Sequence, residues 1–364
     1  MNNSLLQQIP ADWDEPGTMW HYHRFVHELE RLYPPTASCV IGRAPANDSR
    51  VIGHSENGEP IYGFVFGEGP KTVSLVAGAH ADEPVGPNTL YRLTLEMLRS
   101  AEKFEELFAR FRFLIIPHVN PDGDAANAEW MMRWPDPGAF MYGTKREPPG
   151  RDIEFGYPDM RPENRAASVF WNREGPADLH MSLHGMQFSE GYLLLINDEW
   201  EQQTRQWRIA YDRAMNRAGL EPHDHDRKGE KGFNYMGPGF TSTPKGLAMR
   251  RHFLEQGDRE TADKFHLSSM EFHLEKNPEA LCMVTELPLF LVAHSGNDGV
   301  PHNYLALKEA WKKGMPASDN RDSGPDPLVD ELINRFAIRP LPLAEAMRLQ
   351  LYTLESALNL MDRG

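Results

Sequence analysis

The stretch KTVSLVAGAHADE at 71–83 limits the choice of fold more than any other part of this 364-residue chain. Residues 72–77 are apolar on both faces, and such a strand has to be covered on both sides, as the central strands of α/β sheets are. Around it the pattern alternates. VIGHSENGEPIYGFVFG reads as two short strands about the turn signal ENGEP. VGPNTLYRLTLEMLRS, opened by Pro84, sets Leu90, Leu93, Leu95 and Leu98 on a helical stripe. RFLIIPHV, HMSLHG, GYLLLIND and ALCMVTELP read as further strands, and WEQQTRQWRIAYDRAMNRAG as a helix stopped by Gly219. This alternation predicts one α/β domain whose mostly parallel or mixed sheet is covered on both faces.

Residues 1–40 read as an N-terminal extension, with a short helix in MWHYHRFVHELERLY, ahead of a main domain at 41–364. Two stretches, 124–178 and 222–270, lack periodicity and are predicted as long functional loops. Residues 314–342 read as a Pro-rich surface connection to a final helix, LAEAMRLQLYTLESALNL.

The 38 basic and 53 acidic side chains leave a formal charge of −15, which repels phosphate backbones and anionic lipid. No nucleic-acid or membrane partner is expected, and the partner should be small. The first residues lack a basic then apolar leader, and no apolar run reaches the roughly 18 residues of a membrane span. Cys39 and Cys282 are the two cysteines, far apart in sequence, which excludes a disulfide framework and fits a reducing compartment, so a cytoplasmic location is expected. Cys282, inside LCMVTEL, reads as a small buried hydrophobe.

Chemistry concentrates at strand ends. In GAHADE, His80 and Glu83 stand three apart just beyond a buried strand and just before a helix, where open α/β sheets place their ligands. An imidazole and a carboxylate there can hold one zinc ion once a third ligand arrives. HMSLHG offers His180 and His184 on the same strand face. His184, at the strand end before Gly185, is the one expected to reach the site. Glu286 ends the apolar strand CMVTELP, and a carboxylate so placed must serve something, because burying it alone costs several kcal/mol. Beside a metal-activated water it would be the general base and then the proton donor to the leaving amine.

GAHADE, HVNPDG, SLHG and VTELP, in this order, resemble the M14 zinc carboxypeptidase family, and the likeness spans about residues 50–300. The resemblance implies a mixed, twisted, eight-stranded sheet flanked by helices and one zinc per chain on His80, Glu83 and His184, with Glu286 as the catalytic carboxylate. It also implies an arginine after the NPDG turn that polarises the scissile carbonyl, for which Arg133 in EWMMRWP is the match. A further implied pair, Asn164 and Arg165 in RPENRAAS, would grip the substrate's terminal carboxylate, with Arg161 and Arg173 as competitors. The family's mobile tyrosine has no counterpart before Glu286, where KFHLSSMEF stands; Tyr235 is the candidate substrate contact, and Glu271 either faces the cleft or ends a strand. The implied activity is hydrolysis of a C-terminal peptide bond. An N-acyl amino acid amidohydrolase of the succinylglutamate desuccinylase and aspartoacylase type is the alternative, and a non-catalytic binding scaffold is a third reading. The substrate is therefore a peptide or an acyl amino acid.

Overall fold

The computed structural model describes residues 5–13, 15–32, 50–314 and 327–362. Cys39, the boundary between 40 and 41, and residues 315–326 of the predicted Pro-rich connection lie outside the described residues.

The strands are β1 (Arg50–His54), β2 (Pro60–Phe66), β3 (Lys71–Ala77), β4 (Phe111–Ile116), β5 (Leu179–Ser189), β6 (Leu193–Ile196), β7 (Tyr235–Gly237), β8 (Phe240–Ser242), β9 (Leu281–Leu291) and β10 (Arg339–Pro340). They form one mixed sheet in the order β1-β2-β4-β3-β5-β9-β6-β8-β7, with β10 paired to β9. Strands β4, β3, β5 and β9 are mutually parallel neighbours at its centre. Ten strands take part where eight are expected; β7, β8 and β10 are short pieces of two or three residues.

β3, buried on both faces though Ser74 is polar, lies between β4 and β5. Val73, Leu75 and Ala77 face one core with the helices Val85–Arg99 and Leu343–Met361, whereas Val76 faces a second core with Phe170, Trp171 and Phe272. Two glycines allow the close approaches at the end of β3. Gly78 turns the chain at φ +77°, where a side chain would strike the His118 ring. Gly86 lets the following helix pack so near β5 that a Cβ would stand 2.1 Å from the Leu183 carbonyl oxygen.

Residues 5–32 are part of the core. Leu6, Trp20, Phe25 and Leu29 are buried in the first core, and Phe25 stacks on Tyr91 at 4.7 Å. Trp20 N–H donates to Asn88 Oδ1 at 2.8 Å, and the Arg92 guanidinium covers the Trp20 ring at 4.3 Å.

Helices also occupy parts of the stretches predicted as loops: Pro121–Met131, Pro137–Gly143, Pro162–Glu174 and Gly246–Glu255. NPDG is the start of the first of these, with Asn120 Oδ1 accepting from Gly123 N–H at 3.0 Å and Pro121 in the opening turn. Its inward residues include Asp124 and Asn127 beside Trp130, so no apolar stripe marks it in the sequence. SSMEF likewise begins a helix, and Glu271 completes a capping box with Ser268. No helix among the described residues is long and apolar enough to cross a membrane.

Candidate metal centre

Ala77, the last residue of β3, stands opposite Leu183, so β5 continues past the end of β3 and carries His184 into the crevice beyond it. His80 and Glu83 follow β3 in the turn ahead of the helix Val85–Arg99. The three side chains converge from these two strand ends. His80 Nδ1 lies 3.1 Å from His184 Nδ1 and 3.1 Å from Glu83 Oε1, and His184 Nδ1 lies 2.8 Å from Glu83 Oε2. Tetrahedral zinc with bonds of about 2.0–2.2 Å separates its ligand atoms by about 3.3–3.6 Å, so the side chains would spread by about 0.2–0.8 Å to admit the ion.

The outer ring nitrogens are held as a metal site requires. His80 Nε2 is 3.2 Å from Asp152 Oδ1, and His184 Nε2 is 3.1 Å from Glu154 Oε2. Each carboxylate fixes the tautomer that leaves Nδ1 a free lone pair facing inward. Glu154 is itself held, because Oε1 accepts from Ser269 N–H at 3.2 Å and from the Ser269 hydroxyl at 3.0 Å. Glu154 is the middle residue of the short helical turn Ile153–Phe155, and Asp152 caps that turn by accepting from Glu154 N–H at 2.9 Å. Burial and the nearby Arg146 oppose protonation of His80, but Asp152 and Asp82 outweigh them and raise its pKa above the ordinary imidazole value. The burial of Asp152 is in turn outweighed by His80, which lowers that carboxyl.

Among the described residues, His80, Glu83 and His184 are the group of histidine and acidic side chains able to hold a metal ion. His180 is not with them. Its Nδ1 meets Ser74 Oγ at 3.0 Å, its ring stacks on His273 at 4.0 Å, and burial drives its pKa well down.

His80 and Glu83 open onto a cleft of about 410 Å³ lined by Arg146, Phe188, Glu286, Tyr304 and Trp311, among others. Glu286, opposite His184 in register, is half-buried there, and its carboxylate has no hydrogen-bond or ion-pair partner among the described residues. Arg146 binds the trio's carboxylate and that of its neighbour Asp82: Nε donates to Asp82 Oδ1 at 3.0 Å and an η-nitrogen donates to Glu83. Gln187 Nε2 donates to the other oxygen of Asp82 at 2.6 Å.

Four expected contacts lie elsewhere. Arg133 is exposed at the end of its helix and pairs with Asp136 at 2.6 Å, because the chain turns outward there and leaves Arg146 to reach the cleft. Asn164 faces the second core and donates to the Ile153 carbonyl at 2.8 Å, whereas Arg165, one residue around the same helix, lines a separate surface groove with Ile52 and Val169. Their competitors are also engaged: Arg161 is buried with Glu163 and Glu147, and Arg173 pairs with Glu174. Tyr235 donates to Asp224 Oδ1 at 2.6 Å on the edge strand β7, and Tyr304 is the tyrosine that lines the cleft. Arg146, Asp152 and Glu154 lie in KREPPGRDIEFG, within the aperiodic 124–178, where only the density of charged residues near proline and glycine set them apart.

Residues 43–187 match the family model of zinc carboxypeptidase, Peptidase_M14. The chain is similar to the solved metallo-carboxypeptidase of Burkholderia cenocepacia at 15% identity, with a TM-score of 0.50, over 94% of this chain and 70% of that one. It is also similar to the metallo-carboxypeptidase of Pseudomonas aeruginosa, solved with (2-guanidinoethylmercapto)succinic acid, at 15% identity and a TM-score of 0.49, over 94% and 69% of the two chains. No curated protein matches. The likeness to the first of these, at a TM-score of 0.50, shows the metallocarboxypeptidase fold.

Proposed function

We propose that this chain, whose residues 43–187 match the zinc carboxypeptidase family model, is a metallopeptidase of that family and hydrolyses the C-terminal amide bond of a peptide with His80, Glu83 and His184 as its zinc ligands and Glu286 as its base. The observation that carries this reading is the convergence of His80, Glu83 and His184, with the outer nitrogens of the two imidazoles already held by Asp152 and Glu154. Zinc bound by these three would polarise the scissile carbonyl and acidify a water.

The protein's own groups would do the rest. Glu286, unpartnered and on the same cleft wall, takes the proton of the attacking water and returns it to the departing amine. Arg146, within reach of Glu83, supplies the fixed cation for the oxygen that becomes negative, the task first expected of Arg133. Phe188, Tyr304 and Trp311 wall the cleft against water, which strengthens each of these electrostatic contacts.

The test pairs metal analysis with turnover. The purified protein should hold one zinc per chain and release the last residue of model peptides, and Glu286→Gln should keep the metal while losing the activity. A protein that binds no zinc, or a Glu286→Gln variant as active as the parent, sinks the reading. Hydrolysis of N-acyl amino acids alone, with no peptide cleaved, would assign the amidohydrolase activity instead.

A further inference from the structure

The cleft carries a charge opposite to that of the protein as a whole. The chain has a formal charge of −15, yet Arg227, Lys308 and Lys312 line the same cleft as His80 and Glu286. The helix His302–Gly314 sets Tyr304, Lys308, Trp311 and Lys312 on one face, at spacings of four, three and one. Arg227 comes from a different element, the segment between β6 and β7, with its guanidinium over the Phe233 ring at 4.3 Å.

None of these three cations has a carboxylate ion partner among the described residues. Their neighbour Lys313, on another face of the same helix, pairs with Glu309 through a 2.5 Å contact. The cations therefore differ from an ordinary solvated helix face, where opposite charges alternate and meet. Their fields overlap: burial, then Arg227, then Lys308 depress the imidazole of His225 to about 4. The Asn164 and Arg165 pair is absent from this cleft, so anchoring of a carboxylate falls to the cations that are there.

We propose that the cleft selects substrates whose departing residue is acidic, glutamate or aspartate, with Arg227, Lys308 and Lys312 binding its carboxylates and Tyr304 and Trp311 flanking its methylenes. The proposal rests on the hydrolase reading above. A guanidinium fork and two ammonium groups suit a doubly negative residue, and the local positive charge overcomes the repulsion that the −15 chain exerts on anions. A neutral or basic departing residue brings only its terminal carboxylate and would leave part of the charge of the three cations uncompensated, so selectivity comes from rejection as well as attraction.

The experiment uses peptides identical except for a C-terminal Glu, Gln, Leu or Lys, with kcat/KM measured on the zinc-loaded full chain. The Glu peptide should exceed the Gln peptide by about tenfold or more, with the Lys peptide the poorest. The double variant Lys308→Glu/Lys312→Glu should lower that Glu-to-Gln ratio by about tenfold, mainly through KM, and Lys308→Arg/Lys312→Arg should keep it. A parent ratio near one, or a ratio unmoved by the charge reversal, overturns the proposal. Calorimetry keeps it separate from the hydrolase reading. Glutarate should bind more tightly than butyrate to the parent and lose that advantage in the charge-reversed variant, whether or not any peptide is cleaved; equal binding of the two acids overturns the proposal.

Discussion

His184 and Glu286 are register partners on the neighbouring parallel strands β5 and β9, so their side chains leave the sheet side by side on one face. The proposed ligand imidazole and the proposed base are thus fixed relative to each other by the ladder of backbone hydrogen bonds, with no loop between them. Replacing Glu286 by Gln keeps shape and removes basicity. Turnover should fall by about 10²–10⁴-fold with zinc content unchanged, measured as kcat beside metal analysis of the same sample.

Asp152 and Glu154 each hold the outer nitrogen of an imidazole in the proposed metal site, His80 and His184. Asp152→Asn and Glu154→Gln should each weaken zinc binding by about 10–100-fold, read by competition with a chromogenic chelator. Removing the metal from the parent should lower its melting temperature, because an ion that binds only the folded chain stabilises it. Unchanged zinc affinity in both variants would show that these carboxylates merely fill space.

Arg146 and Arg133 separate cleanly. Arg146→Ala should lower kcat by about 10²–10³-fold, as the loss of a preorganised oxyanion donor does elsewhere. Arg133→Ala, which breaks only an exposed pair with Asp136, should leave kcat within about twofold. The reverse order of effects would restore the arginine first expected from the sequence.

The N-terminal helix should matter to stability. Phe25 is fully buried and stacked on Tyr91, so Phe25→Ala should cost about 3–5 kcal/mol in urea unfolding. A loss below about 1 kcal/mol would mean that residues 5–32 are not packed as described.

Stability should also fall with acid. Burial lowers the pKa of His273 from 6.5 to about 3, and burial with the nearby His225 and Arg227 lowers that of His223 to about 3. Between about pH 3 and 6.5 the unfolded chain takes up protons at these rings that the folded chain refuses. Each ring therefore makes stability rise with pH in that window, by up to about 1.4 kcal/mol per pH unit. The urea midpoint should drop between pH 7 and pH 5, and a flat profile would contradict neutral buried rings.

The amino-acid sequence by itself determined the α/β class, the central place of β3, the choice of His184 over His180, and the meeting of His80, Glu83 and His184. These follow from local facts: side chains alternate along a strand, and a strand's carboxyl end opens a crevice, so residue types at strand ends carry meaning before any folding. The tertiary structure alone decided what surrounds them. Arg146, Asp152 and Glu154 come from a stretch without periodicity, held by capping and by buried polar contacts that leave no apolar stripe to read. Arg133 and Arg165 turn away for the same reason, since which side of an irregular segment meets a cleft depends on its packing against distant strands. The cationic wall is the clearest case. Arg227 and Lys308 are distant in sequence, and only the fold brings their charges to the same cleft as Glu286.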